Sequence, residues 1–217
     1  TQRTSSAASD VYKRQKVTGN QIIKAGTLLM LGYSIDEVRN KTKYLSSSSN
    51  KVAIKKAIFP WSRFPAEDTM LGPEMKATGE VLGVGKEFGT ALNKAYAAAG
   101  VEINNKEKGI FVTLSDSEKP NFIKTVNKYL ELGFTLYSTE GTGKFLKTNG
   151  IDSVIVGKAD DLGQTSLTII EDKLVSLVIN TPTYANELSD GWKIRRLSHE
   201  TGVAVVSSVR EADAFIE

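Results

Sequence analysis

From residue 110 onward, short apolar runs recur with room for one helix between each pair, and this alternation constrains the fold more than any other feature. The run 110–114 comes first, and Phe122, Val126, Tyr129 and Leu130 then mark one stripe of a helix that stops at Gly133. Further apolar runs at 134–137, 154–156, 174–179 and 203–206 continue the strand series. Helices are predicted over 143–148, 165–171, 192–200 and 209–216, the first closed by Asn149-Gly150. Buried strands separated by helices predict an α/β fold with a doubly wound parallel sheet covered on both faces. Such sheets bind ligands beyond the carboxyl ends of their strands. The loops at 113–119, 138–144, 157–163 and 180–186 therefore become the places to look for chemistry.

The first hundred residues read differently. Residues 1–15 are polar, rich in small residues and without hydrophobic period, and are set aside as a non-native or disordered lead-in. Ile22, Ile23, Leu28, Leu29 and Leu31 fit a helix that stops at Gly32, and Ser34 with Glu37 three residues later predicts a capped second helix. Residues 46–49 form a polar loop, and 51–59 alternates as a strand ending at Pro60. An Ala-rich helix is predicted over 87–99 with Phe88, Leu92 and Tyr96 on one stripe. Gly100 ends it, and the charged stretch 101–109 reads as the domain boundary.

Composition excludes several classes. The absence of cysteine removes disulfides and thiolate metal sites. A net charge of +3 without a basic run gives no footprint for nucleic acid. No apolar stretch approaches the ~20 residues of a membrane span, so a cytoplasmic location is expected. His199, the sole histidine, has no metal-ligating companions in sequence, and Asp160-Asp161 reads as a solvated turn. Trp61 and Trp192 read as core or domain-contact residues.

The loop Ser138-Thr139-Glu140-Gly141-Thr142-Gly143-Lys144 is the strongest local signal. Hydroxyls and glycines at a helix start surround one point with donors, which suits a phosphate. An ordinary capped helix start accounts for the same residues. It is not a Walker loop, because Ser138 replaces the first glycine and Phe145 follows Lys144. Thr113 and Lys119 follow the first strand, Lys158 the third, and Asn180, Thr181 and Thr183 the fourth. Either lysine alone reads as surface charge. Their shared position after successive strands favours one anion pocket.

Two segments in order carry a family resemblance. The run Gly72-Pro73-Glu74-Met75-Lys76-Ala77-Thr78-Gly79-Glu80-Val81 with the Ala-rich helix after it resembles the closing segment of carbamoyl-phosphate synthase large subunits. The strand–turn–helix at 134–146 is similar to the methylglyoxal-synthase-like regulatory domain that ends the same subunit. Lys16-Val17-Thr18-Gly19 and Ile194-Arg195-Arg196 also match. The resemblance implies a C-terminal fragment, with 16–99 a small mixed α/β remnant of the second ATP-grasp unit, 100–105 a linker and 106–217 the allosteric domain. It implies that Thr139 and Thr142 hold an effector phosphate with Lys119, Thr113, Lys158, Asn180, Thr181 and Thr183. Pro182 and the acids beside Lys158 depart from the family pattern.

The resemblance further implies an ATP-dependent ligase in the full enzyme, serving arginine or pyrimidine biosynthesis, with ATP and Mg or Mn bound outside this segment. No catalytic residue, metal site or cofactor is expected within it. The implied partners are the rest of the large subunit, the glutaminase small subunit and a small effector such as UMP, IMP or phosphoribosyl pyrophosphate. Two alternatives use a similar phosphate loop. One is a free-standing methylglyoxal synthase, with Glu140 or Asp160 as base. The other is the cyclohydrolase domain of purine synthesis.

Overall fold

In a computed structural model of the chain, residues 2–42, 50–58, 79–101, 108–181 and 189–216 are described. The expected alternation is present. Strands β3 (Gly109–Thr113), β4 (Leu136–Thr139), β5 (Val154–Val156), β6 (Val175–Asn180) and β7 (Ala204–Val206) form one sheet in the order β5-β4-β3-β6-β7. Every pairing in it is parallel. Helices α5 (Lys119–Glu131), α6 (Glu140–Thr148), α7 (Ser166–Glu171), α8 (Asp190–Thr201) and α9 (Val209–Ala214) connect or follow the strands. The order reverses direction between β3 and β6, which makes that gap the topological switch point.

Period-two alternation splits the strand side chains between two cores. Ile110 and Val112 of β3 with Leu177 and Ile179 of β6 pack against Phe122, Val126 and Tyr129 of α5, Leu146 of α6 and Ala212 of α9. On the other face Phe111 and Val178 meet Ile169 and Ile170 of α7 and Ile194 of α8. The doubly wound arrangement follows from strands that are apolar on both sides.

The first half differs from its reading at several points. The lead-in at 1–15 is expected to lack structure, yet it forms most of helix α1 (Gln2–Thr18). The docking is electrostatic: Lys13 pairs with Glu80, and Lys55 lies 3.0 Å from Asp10. Hydrophobic period does not register contacts of that kind. Helix α2 (Ile22–Met30) ends as expected, with Gly32 at φ 90°. Helix α3 (Ile35–Lys41) carries the full Ser34–Glu37 capping box. Strand β1 (Val52–Ile58) pairs antiparallel with β2 (Gly79–Gly85), a strand the sequence conceals behind three glycines. Two of them permit close packing of helix α4 (Phe88–Ala98): a Cβ on Gly83 would lie 2.0 Å from the Ala91 carbonyl oxygen, and one on Gly85 2.8 Å from the Ala91 nitrogen.

Helix α4 also crosses the expected boundary. Leu92 and Tyr96 belong to the same core as α5 and α9, while Phe88, expected on that stripe, is exposed. Tyr96 donates its hydroxyl to Glu211 at 2.7 Å, and its ring stacks edge-on against Phe215. The stretch 100–105 thus separates α4 from the sheet in sequence but not in packing. The polar loop at 46–49, Pro60, Trp61, the Gly72–Met75 run and most of the linker lie outside the described residues.

Candidate functional site

Register alone gathers the site. Thr113 pairs with Asn180, and Thr139 with Val156, while Val112 opposite Ser138 sets Thr113 beside Thr139. Four strands therefore end level at the switch point. Beyond them lies a cavity of about 600 Å³ whose lining includes Thr113, Thr139, Gly141, Lys158, Ser166 and Asp190. A second cavity of about 240 Å³, lined by Asn180, Thr181 and Arg195, shares Thr113, Asp190 and Gly191 with it.

Helix α6 begins at Glu140, three residues earlier than its expected start at 143. Gly143, the expected first residue of the helix, serves close packing, because a Cβ there would stand 2.7 Å from the Ser138 hydroxyl. The earlier start makes Thr139 the cap residue, yet its side chain makes no capping bond to a backbone N–H of the helix. Its hydroxyl instead contacts Thr142 at 3.3 Å and Thr113 at 3.5 Å. The first N–H groups of α6 at Glu140 and Gly141 stand at the cavity, where an anion gains both donors and the helix dipole. Glu140 is ion-paired with Lys144 at 2.7 Å, and that hydrogen bond holds its carboxyl below the usual range.

Thr142 and Thr181 act one step back. Thr142 is buried and accepts from the Leu114 N–H at 3.1 Å, and Thr181 accepts from the Ser115 N–H at 2.7 Å. Together they shape the turn after β3. Asn180 accepts from Arg195 Nη1 at 3.1 Å, and Gly191 leaves room for that pair, since a Cβ there would approach Arg195 to 3.2 Å. Lys158 lines the cavity, with its backbone N–H donating to Asp161 at 2.7 Å. The turn at 160–161 is thus structural, because Asp160 also bridges to Lys193 of α8 at 2.7 Å and raises the lysine's pKa.

Lys119 is the exception among the expected residues. It sits at the start of α5, 2.5 Å from Asp116, and lines neither cavity. Its hydrogen bond keeps the Asp116 carboxyl low. Thr183 lies outside the described residues. Asp190, Gly191, Arg195 and Ser166 also line these cavities, and the sequence reading left them without a role. The Ser189 cap, whose hydroxyl accepts from the Trp192 N–H, was the legible signal for the α8 start. Among the described residues no group of His, Asp and Glu could hold a metal ion, and no described helix is long and apolar enough to cross a membrane.

Residues 121–207 match the family model of the MGS-like domain. The chain carries an MGS-like domain. Beyond that domain, the similarity to curated relatives runs through 93% of the chain. It is 34% identical to the "carbamoyl phosphate synthase large chain, C-terminal section" of Aquifex aeolicus, of which it covers 40%. It is 34% identical to the C-terminal section of Methanocaldococcus jannaschii, covering 34% of that protein. Against the undivided large chain of Lachnoclostridium phytofermentans it is 36% identical and covers 19%. The chain therefore spans well under half the length of these relatives. The cleft described above lies at the carboxyl end of the MGS-like sheet, formed by the loops that follow its strands.

Proposed function

We propose that the MGS-like domain of this chain is the allosteric unit of a carbamoyl phosphate synthase large chain, holding the phosphate of a small effector in its cleft. The observation that carries this reading is the convergence of Thr113, Thr139, Lys158 and the start of α6 on one cavity. Hydroxyls, one ammonium and helix N–H groups supply a phosphate's oxygens with donors, and the charge on Lys158 strengthens the bond. Arg195 and Asn180 hold the second, adjoining wall.

On this reading the partner is the rest of a large chain like those of the relatives, with a glutaminase small subunit beyond it. Carbamoyl phosphate formation, with ATP and its metal, belongs to residues outside this segment. The effector then acts by linkage, shifting the enzyme by its differential affinity for two states. A lyase reading is weaker. A general base needs a pKa near working pH, whereas Glu140 is held low by Lys144.

Calorimetry on the full chain with UMP, IMP and phosphoribosyl pyrophosphate tests the proposal. Lys158→Ala should weaken binding by about 1.5–3 kcal/mol, the worth of a charge-assisted hydrogen bond. Unchanged affinity would contradict it.

A further inference from the structure

A further cavity of about 340 Å³ lies at the amino ends of β3, β6 and β7, the end of the sheet away from the cleft. Its lining holds two lysines, Lys108 and Lys173, and no acid. Neither ammonium group has an ion pair or hydrogen bond among the described residues. Between them in the lining stands Ser176. Val175 pairs with Gly109 and Leu177 with Ile110, so Ser176 is an extra residue in β6. A bulge of this kind re-aims a side chain. Ser176 is 6% exposed, and its hydroxyl has no hydrogen-bond partner among the described residues. A buried hydroxyl in that state costs stability unless something else supplies the bond.

Lys173 is held at the cavity against its backbone preference. Where other helices end on a positive φ the residue is glycine, as at Gly100, Gly150 and Gly202. After α7 that angle, 54°, falls on Lys173, the only described non-glycine residue with a positive φ. The N–H groups of Lys173 and Leu174 close the helix end on the Ile170 and Ile169 carbonyls at 3.1 and 3.0 Å. Glycine fills such a turn without strain. A lysine near a helix carboxyl end gains from the dipole. That gain accounts for a lysine close to the end of α7 but not for one on the strained residue, and it leaves Ser176 without a partner.

We propose that this cavity is a second ligand site, separate from the phosphate cleft, and that it takes a short-chain dicarboxylate. One carboxylate meets Lys108, the other meets Lys173, and the Ser176 hydroxyl donates to one of them. A phosphate monoester suits the place poorly, because its oxygens call for donors gathered around one point. The start of α6 offers those donors at the cleft, whereas α4 and α8 bring their carboxyl ends to this cavity, at Gly100 and Gly202.

The test is calorimetry and amide chemical-shift mapping on the full chain with glutarate, succinate, acetate, inorganic phosphate and UMP. At least one dicarboxylate should give saturable shifts at Lys108, Ser176 and Gly202, binding about tenfold or more tighter than acetate or inorganic phosphate. UMP should leave those amides unmoved. Lys173→Gly should weaken the dicarboxylate by about tenfold or more. Its melting temperature should equal or exceed that of the unchanged chain, since glycine relieves the positive φ. Ser176→Ala should weaken binding by about threefold to tenfold without lowering the melting temperature, because it breaks no internal bond. Unchanged binding in Lys173→Gly, or a lower melting temperature, would make the lysine structural and overturn the inference. It also fails if no dicarboxylate saturates, if dicarboxylate shifts fall at Gly141 and Lys158 instead, or if inorganic phosphate binds this cavity as tightly.

Discussion

The sheet at 108–217 and the region before it solve the burial problem in opposite ways. The sheet closes two apolar cores, with Phe111, Phe122, Leu177 and Ile179 fully buried between its layers. The helices α2 and α3 leave Ile23, Leu29, Met30, Leu31 and Ile35 exposed, Met30 at 90% and Leu31 at 70%. Isolated apolar residues on a surface mean little, but five within thirteen positions mark a face that is not covered by the described residues. The sheet is thus packed on both faces, whereas α2 and α3 keep an apolar face that the described residues do not cover. Helix α4 joins the two, packing β2 on one side and the sheet core on the other.

The largest test of this contrast is truncation in the core. Phe122→Ala should cost about 3–5 kcal/mol, lowering the main unfolding transition in chemical denaturation, while Leu31→Ser should move it by less than about 0.5 kcal/mol. Comparable losses would erase the distinction. Next is the joint. Gly83→Ala places a Cβ against the Ala91 carbonyl and the Ala95 nitrogen, both backbone atoms that cannot swing away. It should cost about 3 kcal/mol, at the upper end of overpacking, and hydrogen exchange should rise in β1, β2 and α4 before the sheet. Uniform exchange changes would show that α4 is not a separable joint.

The smallest effect is a pH dependence at the same seam. Burial pushes the pKa of His199 down to about 4, with Lys56, Arg196 and Arg195 adding repulsion. The unfolded chain then binds a proton near pH 6.5 that the folded chain takes only near pH 4. Stability is full above pH 6.5 and falls as pH drops toward 4, by roughly 2–3 kcal/mol. Lys56 sits 3.7 Å over the Tyr96 ring, and burial lowers its pKa as well. His199→Gln should flatten the stability profile between pH 6.5 and 4. An unchanged slope would place the acid sensitivity elsewhere.

How much of this was legible follows from which physics each element uses. The strands of the sheet are short, apolar on both faces and bounded by helix stops, so period and punctuation expose them. Strand β2 escaped because Gly79, Gly83 and Gly85 interrupt its side-chain alternation, the last two to let α4 approach closely. The start of α6 was misplaced for the same reason at Gly143. Helix α1 was missed because its docking contacts are ion pairs. At the site, the residues that end strands lie together, since register alone brings Thr113, Thr139 and Asn180 level. Lys119 did not join them because Asp116, three residues away, captures it.

The central claim is that one cleft at the carboxyl ends of the sheet strands receives a phosphate. Amide chemical-shift mapping of the full chain during titration with UMP tests it most directly. The expected result is saturable shifts concentrated at Gly141, Thr142, Gly157, Lys158 and Gly191, with little change at Lys108, Lys173 and Gly202 on the opposite end of the sheet. Shifts confined to that opposite end, or spread along the surface without saturation, would contradict the account.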